Sequence, residues 1–309
     1  MGRCAVAAIG RPVLPLVAAG LSLAACPVGA GQAARPEAGG AVRVSVGGAV
    51  ALEYVRIGVP FKPYVRELRT PAGANVLRDN VADHLHHHGL MFAVRAGDVN
   101  FWEETPGCGT QRSDRLRVTG SGVVDSLSWR APGASRPLLL ETRRIQVERA
   151  TAPDAVLVTW QTTLALPQGA PAPVTLSGAH YHGLGMRFLQ AMDGGAFETD
   201  GGDTGTVFRG EERLMTGRWC AYRADLSGRP VTVAMFDHPA NPRPATWFTM
   251  PRPFAYLAAT LRLHETALAL RSGKRLDLRY GVAACDGRLN RAQLDKLCRV
   301  WLARAGRGR

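Results

Sequence analysis

Histidine is concentrated in one short stretch of this chain, which has 309 residues and eight histidines in all. The segment 83–90 reads DHLHHHGL and holds four of them. If the segment is extended, side chains alternate, so that His84, His86 and His88 share one face of a strand and His87 lies on the other. Imidazoles at this spacing could transfer protons, or could bind zinc or copper through neutral ring nitrogens. The structural alternative is a polar sheet edge whose histidines only hydrogen-bond to neighbours.

A second pair of histidines lies in SGAHYHGLGMRF, residues 177–188. His180 and His182 are two positions apart, which predicts one face of a strand, and Arg187 follows five positions later. We therefore include His180 and His182 with His84, His86 and His88 as candidate metal ligands. A guanidinium can hold a carboxylate or a pair of hydroxyls, so Arg187 is a candidate for the site itself.

Two further segments combine polar side chains with a strand end. In FDHPANPRPATW, residues 236–247, Asp237 and His238 end an apolar strand and lead into a proline-fixed turn. There Asp237 could orient an imidazole and Asn241 could contact a ligand, although a purely structural turn would use Asn241 to cap backbone amides. In GDVNFWEE, Trp102 could stack on a sugar ring and Glu103 could bind its hydroxyls, or the tryptophan could belong to the core.

The elements that must position these residues are almost all β-strands. Runs such as LLLETRRIQVERA and AVLVTWQTTLAL are rich in β-branched residues and are bounded by glycine, proline or aspartate. Helical periodicity appears clearly once, after the candidate cap Asn290. Its apolar stripe comprises Leu294, Leu297, Cys298, Trp301 and Leu302. These patterns predict an all-β fold: a large antiparallel β-sandwich, of supersandwich-like size, with a C-terminal α-helix and a single domain over residues 41–309.

The first residues predict export. Residues 1–26 place two arginines before an apolar stretch and small residues, as in a secretory signal. The sequence LAAC ending at Cys26 resembles a lipobox, which predicts a periplasmic or outer-membrane lipoprotein anchored through Cys26. The alternative is cleavage at the small residues 28–30, which would release a soluble secreted protein. Residues 27–40 are rich in glycine, alanine and proline and predict a flexible tether.

Composition limits the partners. The net charge is +13, but only three residues are lysine, and no run of like charges or basic-aromatic motif occurs. This pattern argues against nucleic acid and leaves a carbohydrate or another small molecule as the expected ligand, with an acidic polysaccharide as a secondary possibility. None of the cysteines after the leader are spaced C-x-x-C, so they predict disulfides or buried thiols rather than a zinc-thiolate site. These cysteines are Cys108, Cys220, Cys285 and Cys298.

Four stretches, in order, resemble a secreted bacterial family that carries the label methane oxygenase PmoA. They are the segment 62–102 around DHLHHHGL, then GLGMRF, FDHPANPRPATWF and LRYGVAACDG before the last helix. The label is a misnomer for such a chain, because a methane-oxidising subunit is a multi-helix membrane protein and no apolar run here after residue 30 reaches the roughly 18 residues of a span. No activity is established for the family, and its members often occur among sugar-catabolism proteins.

The resemblance also implies site residues. Its first motif matches Asp83, His84, His86, His87, Gly89 and Leu90. Its later motif matches Asp237, His238, Pro239, Asn241 and Pro242. Arg187 matches a recurrent arginine. Leu85 and His88 depart from the pattern, which favours His84, His86, His87 and His238 over the triad that contains His88.

Three functions follow as hypotheses. The first is an exported carbohydrate-active enzyme of the lyase or epimerase type, in which the histidines act as acid and base with Asp237 and Arg187. A two-carboxylate hydrolase fits less well, because Glu103, Glu104 and Asp237 are the only acids near these motifs. The second is a metal-dependent oxidase or hydrolase that binds zinc or copper through the His-x-His pairs. The third is a non-catalytic glycan-binding module.

Overall fold

The computed structural model describes residues 1–2, 33–79, 81–82, 84–170 and 172–306, which form 22 strands and one α-helix. Residues 3–26 of the predicted leader, residues 27–32 of the predicted tether and Asp83 lie outside these residues. The strands are β1 Ala33–Pro36, β2 Ala41–Val46, β3 Ala49–Val55, β4 Tyr64–Leu68, β5 Leu90–Ala93, β6 Arg95–Ala96, β7 Val99–Asn100, β8 Thr110–Thr119, β9 Gly122–Arg130, β10 Leu139–Thr151, β11 Asp154–Ala165, β12 Val174–Ser177, β13 Gly183–Arg187, β14 Ala196–Thr199, β15 Thr206–Arg209, β16 Glu212–Thr216, β17 Trp219–Leu226, β18 Arg229–Asp237, β19 Thr246–Met250, β20 Tyr256–Thr260, β21 Leu268–Leu270 and β22 Arg275–Asp286. The helix α1 is Arg291–Ala305, and short 3-10 turns occupy Ala38–Gly40 and Gln190–Met192.

These strands form three antiparallel sheets. The first has ten strands in the order β1-β2-β3-β4-β5-β13-β20-β19-β16-β15. The second has eight in the order β14-β17-β18-β22-β11-β10-β9-β8, and a small third sheet has the order β21-β12-β6-β7. The fold is therefore the all-β sandwich that the strand patterns predict. Within the described residues, no helix combines the length and the apolar character that crossing a bilayer requires.

The main core lies between the two large sheets. In β10, buried and more exposed residues alternate, so that Leu139, Ile145 and Val147 point into the core. This alternation is the consequence of the two-residue period of a strand. Phe92 of the ten-stranded sheet meets Trp129 of the eight-stranded sheet, with ring centroids 6.1 Å apart. The core thus fixes both sheets, and with them the loops at their edges and outer faces.

The C-terminal helix covers the outer face of the eight-stranded sheet. Asn290 caps α1, since its side chain accepts a hydrogen bond from the backbone nitrogen of Gln293 and the Gln293 side chain accepts one in return. Leu297 and Trp301 belong to a second apolar cluster that includes Phe236 of β18. The predicted cap and the predicted helix are confirmed.

Residues 33–36, which fall within the predicted tether, form an edge strand that pairs with β2. Backbone pairing to a sheet edge has overridden their flexible composition there.

The four cysteines after the leader are all free thiols, three of them buried. No disulfide therefore joins them in this structure.

Cross-strand pairing in the ten-stranded sheet places the floor of the candidate site. Arg187 of β13 pairs with Tyr256 of β20, and Tyr256 pairs with Met250 of β19. Directly paired residues project from the same face of a sheet, so these three side chains form a row. Gly185, two positions from Arg187, lies in the next row on that face.

Candidate active site

The histidine-rich segment is a turn and not a strand. The backbone nitrogen of His84 donates to Val81 O (3.1 Å) and that of His87 donates to His84 O (2.8 Å). The turn stacks the rings of His84 and His87 (centroids 4.7 Å apart, planes at 20°) and sets His86 edge-on to His87 at 4.5 Å. His88 points elsewhere. The predicted same-face triad of His84, His86 and His88 is therefore wrong, because a turn does not alternate its side chains as a strand does.

Three of these histidines line a cavity of about 230 Å³, which we call the histidine pocket. Its walls come from the turn, from the loop before β8, from the segment between β12 and β13, from the β15–β16 hairpin and from the β19–β20 hairpin. The lining residues are His84, His86, His87, Glu103, Tyr181, Arg209, Glu212, Phe248, Met250, Phe254 and Tyr256. The pocket thus combines imidazole rings, carboxylates and apolar walls, as a few polar groups among apolar walls are typical of a small-molecule site.

His86 and Glu103 form the first polar contact in this pocket, with Nδ1 and Oε2 3.2 Å apart. Burial, followed by the charges of Lys62 and His84, lowers the pKa of His86 to about 4. Burial raises the pKa of Glu103, although Lys62 opposes that shift. At neutral pH the imidazole is therefore uncharged, and the carboxylate beside it can attract the hydrogen on Nδ1. In that tautomer Nε2 carries the lone pair and can accept a proton, as in a carboxylate–histidine pair of a hydrolase.

His87 carries its hydrogen on the other ring nitrogen, because its Nδ1 faces Arg187. Arg187 is 1% exposed. The Nη1 group of Arg187 donates to Nδ1 of His87 at 3.2 Å, and the guanidinium lies 3.4 Å above the ring centroid of Phe254. A guanidinium has no acceptor, so Nδ1 must be the acceptor and the hydrogen of the neutral ring must be on Nε2. Burial and the surrounding charges lower the pKa of His87 to about 2. His87 is thereby fixed as a neutral hydrogen-bond donor.

Tyr256 supplies a second buried donor. Its side chain is 2% exposed, and its hydroxyl has no hydrogen-bond partner among the described residues. Burial raises the pKa of Tyr256 well above its ordinary value, so the phenol keeps its hydrogen. The hydroxyl fits only because residue 185 is glycine: a Cβ there would lie 1.9 Å from it. A buried donor without a protein partner costs free energy unless a water or a ligand satisfies it, so Tyr256 is a candidate donor to a ligand in this pocket.

Glu212 lines the other side of the pocket, and the sequence analysis did not identify it. Its carboxylate lies 3.1 Å from Nε2 of His180 and accepts a hydrogen bond from Nη2 of Arg209 at 2.7 Å. Burial lowers the pKa of His180, although Glu212 opposes that shift. Phe208 stacks on His180 with centroids 3.6 Å apart. His180 therefore belongs to the site as a support for Glu212.

His88 is clamped between two carboxylates on the far side of the turn. Its Nδ1 lies 2.8 Å from Asp79 Oδ1 and its Nε2 lies 2.9 Å from Glu104 Oε1. Burial lowers the pKa of His88, but the hydrogen bonds to Asp79 and Glu104 raise it. The net shift of the pKa is upward. Tyr64 donates to Asp79 at 2.7 Å, and Lys62 donates to Glu104 at 2.5 Å. Both ring nitrogens face acceptors, which requires an imidazolium.

Trp102 and His182 are core residues, which corrects two predictions. Trp102 is fully buried and stacks on His182, with centroids 4.9 Å apart and planes at 13°. That ring face is therefore not available to a sugar. Burial and nearby charges lower the pKa of His182 to about 3, and its partner in sequence, His180, faces Glu212 instead. The residues 179–182 form a turn, so the expected shared face of the two histidines does not exist.

Asp237, His238 and Asn241 lie apart from the histidine pocket, which corrects the prediction that they join it. They line a different cavity, beside Leu302 of α1, and the two cavities share no lining residue. Asp237 accepts hydrogen bonds from Asn241 Nδ2 (2.7 Å) and from the backbone of Ala245 (2.8 Å). Nδ1 of His238 accepts from the Ala240 backbone at 3.1 Å. These contacts are those of a structural turn.

The candidate metal ligands are divided among different surroundings. His84 and His86 line the histidine pocket, His88 binds Asp79 and Glu104, and His182 stacks on Trp102. Within the part of the chain that the structure describes, no group of three His, Cys, Asp or Glu side chains is placed to hold a metal ion. The donor set thus gives no support to the predicted zinc or copper centre.

Sequence reasoning found His84, His86, His87, Arg187 and Glu103, which the fold brings together. It missed Glu212, Tyr181, Tyr256 and Arg209. Of these four residues, Tyr181 alone lies in a segment that the histidine pattern singled out, between His180 and His182. The others stand in ordinary strand sequence, and only strand pairing brings them to the pocket.

Comparison with known proteins places the chain in a family without assigning an activity. A search of curated proteins gives no match. A family model described as a family of unknown function, DUF6807, matches residues 41–299, which is most of the chain and includes every residue of the histidine pocket. The resemblance to the family labelled PmoA is not tested by this match and stays a prediction. The chain therefore belongs to the DUF6807 family, whose function is unknown.

Proposed function

We propose that this protein is a carbohydrate-active enzyme that removes a proton from the carbon next to a carbonyl or carboxylate group of a sugar unit, as a lyase or an epimerase does. The size of the histidine pocket supports a ligand of about one sugar ring. Its 230 Å³ is below the range of about 300–1,000 Å³ that is typical of drug-sized ligands. The apolar rings of Phe248 and Phe254 suit the C–H face of such a ring.

His86 is the proposed base. Its neutral ring lies 3.2 Å from Glu103, which can stabilise the imidazolium once the proton has arrived. When the C–H bond breaks, the proton goes to His86 and the electron pair moves to the carbonyl or carboxylate oxygen. An epimerase then adds a proton from solvent to the other face of the carbon, while His86 releases its own proton to solvent. A lyase instead forms a C=C bond as the C–O bond to the substituent on the next carbon breaks, and the imidazolium of His86 gives its proton to the leaving oxygen.

His87 and Tyr256 are the proposed donors to the oxygen that gains charge. Both are neutral, both keep a hydrogen, and their ring centroids lie 5.1 Å apart. Arg187 lies behind them and adds a positive charge that acts on both groups. Preorganised donors of this kind usually give the largest share of transition-state stabilisation. The observation on which the proposal depends is that a neutral base and two neutral donors line one small pocket.

The test is exchange of the carbon-bound proton with solvent. The purified protein is incubated in D₂O with glucuronate, galacturonate, mannuronate and their 1,4-linked disaccharides, and loss of the H-5 signal or gain of an alkene signal is followed by NMR. His86→Gln should slow the reaction by about 10²–10⁴-fold, the usual contribution of a general base. His238→Gln is the matched control and should leave the rate unchanged.

Two outcomes would contradict the proposal. An equal rate in wild type and His86→Gln removes His86 as the base. Saturable binding of these sugars by wild type with neither exchange nor product instead favours the hypothesis of a non-catalytic glycan-binding module.

Export, with or without a lipid on Cys26, is also proposed, on the leader sequence alone.

A further inference from the structure

We propose that a second cavity, next to the histidine pocket, binds the carboxylate of a neighbouring uronate unit, so that the ligand is an acidic oligosaccharide. This inference rests on the proposed function, because it names the substrate class of the same site. The cavity has a volume of about 720 Å³ and is lined by Arg66 and Arg78, and we call it the arginine pocket. Phe61 and Tyr64 also line it.

The two cavities share a wall. His86 and Glu103 line the histidine pocket, while the nearby residues His88 and Glu104 line the arginine pocket. Each pair joins the same two segments of chain, at 3.2 Å in the first pair and 2.9 Å in the second. Leu85, which is 58% exposed, stands between the histidines of the turn and lines the arginine pocket. A chain of two sugar units could therefore lie across the turn with one unit on each side.

The carboxylates of the arginine pocket are already neutralised. Glu67 forms an ion pair with Arg69 at 2.7 Å. Asp79 contacts His88, and Glu104 contacts both His88 and Lys62. None of these acids needs a cation from a ligand, so the pocket has no excess of negative charge to offer one.

The cations of the pocket are not all neutralised. Arg66 pairs with Glu53. The side chain of Arg78 makes neither a hydrogen bond nor an ion pair with any residue of the described part of the chain. Arg78 is half-buried, so part of its hydration is already lost. The unmatched charge in the cavity is thus a guanidinium, whose planar fork fits the two oxygens of a carboxylate.

Binding measurements test this inference. Isothermal titration at low and moderate salt compares each of the three uronates with its 1,4-linked disaccharide and with the neutral disaccharide of the same linkage. We expect an acidic disaccharide to bind at least about tenfold more tightly than its monomer, in line with one charge-assisted contact. Arg78→Gln should abolish that gain and its salt dependence, while Arg78→Lys should keep part of it. Arg117→Gln, an exposed arginine on β8 with the same change of charge, is the matched control.

The outcomes separate this inference from the proposed function. Tyr256→Phe acts in the histidine pocket and should weaken monomer and disaccharide by the same factor. If Tyr256→Phe has that effect but Arg78→Gln does not remove the gain, the arginine pocket is not a binding site and the proposed function stands. Equal affinity for neutral and acidic disaccharides, or no binding of any acidic disaccharide, also overturns the inference. A binding gain that survives in His86→Gln without any wild-type turnover contradicts the proposed function alone.

Discussion

Arg187 donates a hydrogen bond from Nη1 to Nδ1 of His87 at 3.2 Å, and this one contact determines which ring nitrogen of His87 carries the hydrogen. Because Arg187 cannot accept, the neutral ring of His87 must carry its hydrogen on Nε2. His86, one residue earlier, contacts the carboxylate of Glu103 instead and is available to accept a proton. Neighbouring imidazoles thus acquire opposite roles from the residues behind them.

The tautomer of His87 can be measured. We expect ¹⁵N-resolved NMR of wild type to show a neutral His87 with its hydrogen on Nε2 across the neutral pH range. Arg187→Lys keeps the cation and should keep that tautomer. In Arg187→Met the pKa of His87 should rise from about 2, because one of the charges that lower it is removed, but should stay below 6.5 because burial remains. A hydrogen on Nδ1 in wild type would contradict the assigned role.

His88 should make the stability depend on pH. Its folded pKa lies above the unfolded value of about 6.5, so the clamp contributes fully below that pH and its contribution is lost as the pH rises through the folded pKa. His88→Gln should therefore lower the free energy of unfolding by about 1–3 kcal/mol near pH 6, with a smaller difference at higher pH. Urea unfolding at a series of pH values measures this. His238→Gln is the control, because the folded pKa of His238 is lowered and its contribution has the opposite pH dependence.

Gly185 should be intolerant of a methyl group. A Cβ at residue 185 would lie 1.9 Å from the hydroxyl of Tyr256 and 3.0 Å from Trp102, so Gly185→Ala must displace both rings. We expect a loss of roughly 1–3 kcal/mol in the free energy of unfolding, as for other overpacked cores. Gly120→Ala is the control, since a Cβ there meets no atom within 4 Å. Equal stability of the two variants in thermal unfolding would show that Tyr256 has room to move.

Asn241 should matter for stability and not for catalysis. Its amide donates to Asp237 (2.7 Å) and to Arg279 O (2.9 Å), and its oxygen accepts from the Arg279 nitrogen at 2.7 Å. Asn241→Ala should lower the free energy of unfolding by about 1–3 kcal/mol, because these partners lose their hydrogen bonds. Turnover of uronates by the folded variant should match wild type. A large loss of turnover with unchanged stability would return Asp237 and His238 to the active site.

The predicted leader implies a specific first residue for the processed protein. If the segment ending at Cys26 is a lipobox, intact-mass analysis of the cell-derived protein should find Cys26 as the first residue, with a lipid mass added. Cys26→Ser should abolish that modification and release the protein from the membrane fraction. A soluble protein that begins after residue 30 would instead support the alternative cleavage at 28–30.

Several residues of the site could be predicted from the sequence. The scarcity of histidine elsewhere singled out DHLHHHGL, and Arg187 was a further candidate; three of these histidines line one pocket and Arg187 contacts one of them. The prediction that the segment is extended is wrong. The backbone bond from His87 to His84 closes a turn, and this turn sends His88 away from the histidine pocket.

The chain's own patterns determined the β-sandwich, the capped C-terminal helix and the identity of the histidine cluster, because strand period, helix period and residue scarcity are local properties. Only the tertiary structure decided that Tyr256 and Glu212 join the cluster and that Asp237 and His238 do not. Tyr256 comes to Arg187 through pairing of β13 with β20, a contact between residues 69 positions apart (256 − 187). Such pairing depends on which strands of the whole sheet become neighbours, and no single stretch of sequence contains that choice.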